Sequence, residues 1–321
     1  VRLIDCQTEG GNEEVEPYTN AETAQDEYVT RHAGKPTQRP RRHPTVWGTG
    51  QAGPISAFNL EEYERNGFLT LDQLLTSDEV LLCREELRRM NLDTHLRNSS
   101  RVVLEPDSNE IRSVFEVHRI SEVLSSIIYS SKVTDHARQV LGSEVYIHQS
   151  RINFKPGFGG AEFHWHSDFE TWHAEDGMPA PRALSMSIAL TDNIPGNGPL
   201  MIIPGSHKTF VSCPGETPSD YHESSLRDKR PAVGSADHAC VTELAGKHGI
   251  QQIEGKAGSA VLFDCNCLHA SGSNMSPYPR SNVFVVFNSV ENKLVEPFYA
   301  PKPRPEYVAS REFTPATTSP R

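Results

Sequence analysis

Between Val145 and Val290 the chain repeats one pattern: VYIHQSRINFK (145–155), AEFHWHSDF (161–169), RALSMSIALTD (182–192), LMIIPGS (200–206), SAVLFDCNCLHASG (259–272) and SNVFVVFNSV (281–290). Each run is short and rich in β-branched and aromatic residues, and Gly or Pro turns separate the runs. Short strands in this number bury their apolar faces by packing as a sandwich or closing into a barrel. The front half reads differently. NLEEYERNG (59–67) predicts a short helix stopped at Gly67, and FLTLDQLL (68–75) a strand. TSDEVLLCREELRRM (76–90) predicts a helix capped by Ser77, with Asp78 and Glu79 in its first turn. A further helix is expected over 119–141, ending at Gly142. The fold class expected is therefore mainly β with flanking α-helices.

The chain has 321 residues, enough for one sizeable core. Residues 1–34 are acidic and polar and read as a flexible tail, leaving one domain over 35–310 with its β core at about 143–292. KPTQRPRRHPTVWG (35–48) is basic and rich in proline, hence extended. It reads as an arm that pairs with acidic surface on its own protein, because the formal net charge of −11 disfavours nucleic acid or anionic membrane as partner. No apolar run is long enough to span a membrane. No apolar core of a signal peptide is visible either, so a cytoplasmic protein is expected. The polar stretch 213–250 interrupts the strand rhythm and reads as a lid or loop insertion.

Cys6, Cys83, Cys213, Cys240, Cys265 and Cys267 are too scattered for a disulfide framework and read as free thiols in a reducing compartment. Cys265 and Cys267 lie beside His269, yet no second cysteine pair completes a zinc knot. Small buried residues on one strand face are the plainer reading.

The chemistry concentrates in FHWHSDFETWHAEDG (163–177). On an extended strand, His164, His166 and Asp168 share a face. His166 and Asp168 can take adjacent positions around one metal ion. His269, at the end of a later apolar strand, is the candidate third ligand. Two histidines and a carboxylate leave three positions open, the facial triad of non-haem Fe(II) oxygenases. His164 serves as a lining or supporting group, and His173 falls out of register as a structural one. Arg280, in the next strand, can clamp the far carboxylate of a dicarboxylic co-substrate. In VYIHQSRINFK, Gln149, Arg151, Asn153 and Lys155 fall on one face with period two, either a solvated surface or a polar site wall.

His166-Ser167-Asp168, His269 and Arg280 resemble the Fe(II)- and 2-oxoglutarate-dependent dioxygenases. GPLMIIPGSHK (198–208) and LHASGSNMSPYPRSN (268–282) are similar to the phytanoyl-CoA dioxygenase superfamily. FHWHSDFETWHAEDGMPAPRA (163–183) is similar to the signature of its ectoine hydroxylases. The resemblance covers about residues 40–300 and implies a double-stranded β-helix (jelly-roll, cupin-like) core. It implies Fe(II) held by His166, Asp168 and His269, with 2-oxoglutarate and O2 as co-substrates. The 2-oxoglutarate contacts implied are Lys155 and Arg280, joined by Asn153 and Ser271. Gln149 resembles the family's ectoine-binding residue. Ectoine is a cyclic amidinium carboxylate, so Trp172 and Phe263 are candidate aromatic walls and Thr171 and Asn282 candidate polar contacts. The iron centre itself carries the chemistry, with no separate acid or base residue. The activity implied is hydroxylation of ectoine to 5-hydroxyectoine, with succinate and CO2 released. It is a step in making a compatible solute, performed by a homodimer. The alternatives are a sister oxygenase acting on another small amino-acid-like substrate, or a non-catalytic jelly-roll binding protein.

Overall fold

Gly67 and Thr76 punctuate the front of the chain. The structure, a computed structural model, describes residues 26–317 apart from 49, 51, 106–107, 227–230 and 232. The helix Ala57–Asn66 stops at Gly67, whose φ of 82° is the left-handed conformation that glycine adopts without a Cβ clash. The next helix, Ser77–Leu92, is capped by Thr76 and not by Ser77. The Thr76 hydroxyl accepts from the Glu79 amide at 3.3 Å and the Glu79 carboxylate accepts from the Thr76 amide at 2.8 Å. Only a cap three residues before the glutamate can make that reciprocal pair. The helix expected over 119–141 is three, Val117–Ile120, Glu122–Ile128 and Ser131–Leu141, because Ser121 and Ser130 take extended conformations between them.

Thirteen strands follow one another among the described residues: β1 (Gln38–Pro40), β2 (Phe68–Leu71), β3 (Val102–Leu104), β4 (Ile111–Phe115), β5 (Val145–Lys155), β6 (Phe163–His166), β7 (Ala183–Ala189), β8 (Leu200–Ile202), β9 (Thr209–Val211), β10 (Gln251–Ile253), β11 (Ala260–Asp264), β12 (His269–Ser271) and β13 (Arg280–Ser289). They form a seven-stranded antiparallel sheet, β2-β11-β7-β13-β5-β4-β3, a four-stranded one, β10-β8-β12-β6, and a two-stranded one, β1-β9. This is the double-stranded β-helix architecture with helices outside.

The large sheet has two chemically distinct faces. Leu184, Met186 and Ile188 of β7, Val283, Val285 and Phe287 of β13, and Leu262 of β11 join Leu87, Met90, Val133, Ala137 and Val140 of the helices in one buried cluster. Each of these side chains larger than that of Ala137 contributes about 1.5–3 kcal/mol of burial. The opposite face is set by register: Arg280 pairs with Lys155, Asn282 with Asn153, Phe284 with Arg151 and Val286 with Gln149. Directly opposed residues share a face. The period-two polar row of β5 is therefore the inner wall of the barrel and not a solvated surface.

The arm of 35–48 is pinned as its charge suggests. β1 pairs with β9, and Arg41 makes a buried ion pair with Asp264 at 2.7 Å. The boundary expected at residue 34 shifts. Residues 1–25 lie outside the described residues, but Tyr28 and Arg31 are 1 % and 4 % exposed and belong to the fold. The physical reason is Arg31, whose charge is matched inside the protein. In 213–250, the helix His238–His248 buries Cys240, Val241 and Leu244 against Ile203 and Leu268. Among the described residues no helix is long and apolar enough to cross a membrane.

Candidate metal centre and the cleft around it

Strand pairing builds the centre. β12 runs antiparallel to β6 with His269 opposite His166, and the two imidazole centroids stand 4.2 Å apart. Asp168 does not reach the site along the strand, as an i, i+2, i+4 pattern would have it. β6 ends at His166, and Asp168 opens the helical turn Asp168–Thr171. That turn swings the carboxylate between the two rings, with Oδ1 at 3.6 Å from His166 Nε2 and Oδ2 at 3.9 Å from His269 Nε2. Ligand atoms of His166, Asp168 and His269 all lie within 4.8 Å of one another, the one such group of His, Cys, Asp or Glu among the described residues.

The protonation states suit metal binding. His166 Nδ1 lies 2.7 Å from the His164 carbonyl and His269 Nδ1 3.0 Å from the Cys267 carbonyl. Each carbonyl needs a donor, so the proton sits on Nδ1 and the Nε2 lone pair faces the centre. Burial, then His166, pushes His269 down to about 4. Burial alone would raise the Asp168 carboxyl, but His269 and His166 outweigh it and hold it below the usual carboxylate range. A neutral imidazole and an ionised carboxylate are the ligand forms. Ser185 Oγ donates to Asp168 Oδ2 at 3.2 Å.

Beyond the centre the wall is cationic. Arg280 is 2 % exposed and its Nε has no partner. Burial pushes its guanidinium down to about 10. Lys155 is 1 % exposed, and its Nζ donates to Ser271 Oγ at 2.9 Å and to the Gly272 carbonyl. Burial, with Arg280 and Arg112 adding repulsion, pushes Lys155 down to about 6. Among the described residues no carboxylate lies within ion-pair distance of either. Gly198 lets the neighbouring turn approach: a Cβ there would stand 2.3 Å from the Gly272 carbonyl and 3.0 Å from Lys155 Nζ. Arg151 lies over the rings of Phe284 and Phe115, at 5.4 and 5.9 Å, with Nε unpartnered.

The remaining candidates divide. Phe263 sits against the centre, its ring 4.9 Å from that of His269. Asn282 donates to Ser187 Oγ at 3.0 Å and leaves its Oδ1 unpartnered, while Asn153 Oδ1 accepts from Ser113 Oγ at 2.8 Å. Gln149 donates to the Val308 carbonyl at 2.7 Å. Thr171 is half-buried at the end of the helical turn that starts with Asp168. Trp172 packs in a cluster with Phe169 and Met178, edge-on to His148 at 5.1 Å. His173 is bonded between Asp26 and the Met178 carbonyl, away from the centre. Cys265 and Cys267 are buried free thiols in the turn between β11 and β12, not on one strand face.

Sequence reasoning missed Ser185 and Ser187, although their alternation with Leu184, Met186 and Ile188 in ALSMSIA is a period-two signal for a polar inner face. It also missed the brace behind the signature. Arg31 binds Glu170 and Glu175, and Arg304 clasps Asp176, which lies 3.3 Å from His148. Nothing local to Arg31 or Arg304 marks them as buried.

Two imidazoles and a carboxylate on a jelly-roll, with three positions open, define a mononuclear non-haem iron oxygenase site. The phytanoyl-CoA dioxygenase family model matches residues 63–282, and the chain belongs to that family. It is 54 % identical over 298 residues to the ectoine dioxygenase of Streptomyces coelicolor, spanning 92 % of this chain and 99 % of that one. The crystal structure of EctD from S. alaskensis with 2-oxoglutarate and 5-hydroxyectoine is 44 % identical, with a TM-score of 0.81 over 89 % of this chain and 95 % of that chain. The same enzyme with bound Fe gives a TM-score of 0.82 at 41 % identity, over 92 % of this chain and 98 % of that chain.

Proposed function

We propose that this chain hydroxylates ectoine to 5-hydroxyectoine, with Fe(II) as metal and 2-oxoglutarate and O2 as co-substrates. One observation carries the reading: a three-ligand centre shares the barrel with two buried basic side chains, Arg280 and Lys155, that have no carboxylate within ion-pair distance among the described residues. A buried unpaired charge is strongly unfavourable, and a dicarboxylate whose far end reaches it supplies the missing partner.

In this reading His166, Asp168 and His269 hold the iron. Arg280 and Lys155 take the distal carboxylate of 2-oxoglutarate, with Asn153 and Ser271 beside them. Bound there, Fe(II) supplies O2 activation coupled to oxidative decarboxylation of 2-oxoglutarate, the source of succinate and CO2. The rest is done by the wall. Arg151 sits on the inner face beside Gln149, and its cation suits the ectoine carboxylate. Gln149, Thr171 and Asn282 offer polar contacts, and the faces of Phe263 and Trp172 suit the delocalised amidinium. Phe263 and Phe284 also exclude water from the reacting centre. No acid or base residue is required.

Free thiols at all five described cysteines fit a reducing compartment, and the proposal places the enzyme in the cytoplasm as a homodimer acting on a small molecule. The deciding experiment loads the protein with Fe(II) without oxygen, then adds O2, 2-oxoglutarate and ectoine. Stoichiometric succinate and 5-hydroxyectoine are expected. Succinate formation indifferent to ectoine means a different substrate, and no succinate at all means a binding protein.

A further inference from the structure

Outside the metal centre, the densest buried polar contact in the signature belongs to a residue far away in sequence. Arg31 has a side chain 1 % exposed. Its Nε and one terminal nitrogen donate to the two oxygens of Glu170, at 2.7 and 3.0 Å. The same terminal nitrogen reaches Glu175 at 3.1 Å, and the other reaches Thr217 Oγ1 at 3.1 Å. Thr30 Oγ1 also donates to Glu170, at 2.6 Å. The backbone at Arg31 has φ 48°, an uncommon conformation for a side chain of this size, and its amide is fixed to the Cys213 carbonyl at 2.8 Å. A Cβ on Gly234 would stand 3.0 Å from Arg31 and 3.4 Å from Thr171 Oγ1, so that segment lies on both.

These contacts share a geometry. Glu170 lies on the helical turn Asp168–Thr171, which runs directly into the π-helical turn Trp172–Asp176 that carries Glu175. A helix this short, with its pitch changing at Trp172, depends on contacts from outside for its position. Arg31 ties it to Thr217 on one flank and lies under Gly234 on the other. The opposite end of the barrel, with Arg280, Lys155 and Ser271, is held by β13, β5 and β12 and makes no contact with Arg31.

We infer that Arg31 is a positioning residue for the substrate side of the site: its planar fork fixes the Asp168–Thr171 turn, and with it the wall formed by Thr171 and Trp172, against the Cys213–Thr217 and Gly234 flanks. The inference rests on the proposed ectoine hydroxylation. It assigns part of the active site to a stretch of chain whose composition suggested none.

Arg31→Ala would strand two buried carboxylates and unfold the chain, so the test uses Arg31→Lys, which keeps the charge and loses the fork. Thr217→Val is the milder companion, because it removes one half-buried bond. Wild type is assayed first, then both variants, with thermal unfolding as the folding check. The constants to compare are KM for ectoine, KM for 2-oxoglutarate, and succinate formed per 5-hydroxyectoine. Calorimetry adds the ectoine Kd of protein loaded anaerobically with Fe(II) and 2-oxoglutarate. Arg31→Lys is expected to raise the ectoine KM and Kd about tenfold, the scale of losing a group that orients a site residue. The KM for 2-oxoglutarate stays within about twofold, and the succinate ratio rises above the wild-type value. Thr217→Val shifts the same quantities less. Wild-type ectoine constants and ratio in folded Arg31→Lys overturn the inference, as does a parallel rise of both KM values. If Arg31→Lys does not fold, unchanged ectoine constants in Thr217→Val overturn it. A wild-type enzyme without ectoine turnover overturns the function and this inference together, whereas an active wild type beside unaffected variants overturns the inference alone.

Discussion

Arg280 and Lys155 are register partners across β13 and β5, two buried basic side chains side by side on the inner wall of the barrel. The fold brings two bases together where water is scarce: Lys155 tends to shed its proton beside the Arg280 charge, and an anion placed between them restores it. Arg280→Gln is expected to raise the KM for 2-oxoglutarate with little change in that for ectoine. Removing one partner of a buried charge pair costs about 2–5 kcal/mol. That is roughly thirtyfold to a few thousandfold in the constant. The ligand-free variant should also unfold at higher temperature than wild type, because an unpaired buried charge has been removed.

Lys155 gives this site a pH signature. It is pushed down from 10.5 to about 6, so it is largely neutral in the ligand-free protein near pH 7.5. A dicarboxylate arriving beside it restores the charged form. Binding of 2-oxoglutarate should therefore take up close to one proton near pH 7.5 and weaken as pH rises above about 6. Calorimetry in two buffers of different ionisation enthalpy measures this uptake. The unfolded chain holds the proton that the folded lysine sheds, so ligand-free stability rises with pH between about 6 and 10.5. Lys155→Met should flatten that slope, as read by urea midpoints across the range.

The two histidines of FHWH separate cleanly. His166→Ala is expected to abolish Fe(II) binding and turnover, while His164→Ala keeps the metal, because His164 serves His166 through its backbone carbonyl. Equilibrium dialysis of Fe(II) against each folded variant decides it. Loss of metal from His164→Ala alone would reverse the assignment.

Arg41 and Asp264 form an ion pair with side-chain exposures of 3 % each. Arg41→Met leaves the Asp264 charge buried without its partner and is expected to cost about 3–5 kcal/mol. The double change Arg41→Met with Asp264→Asn should recover much of that loss. Urea unfolding of the three proteins gives the comparison, and a single variant as stable as wild type would show that the arm is dispensable.

The sequence by itself determined the mainly β core, the period-two polar row of β5, the His-x-Asp motif with its distant histidine and arginine, and the family those residues resemble. These are local periodicities and short spacings, and local backbone geometry translates them directly. The tertiary structure alone decided the rest. It ended β6 at His166 so that a helical turn, not a strand, delivers Asp168. Register with β13 made the β5 row an inner wall. Burial made Tyr28 and Arg31 part of the fold, where composition suggested a loose tail. A charged residue carries no mark of its partner in the chain around it. Whether Arg31 is a solvated side chain or the buried brace of Glu170 depends on which segments meet in space, and only the folded protein brings them together.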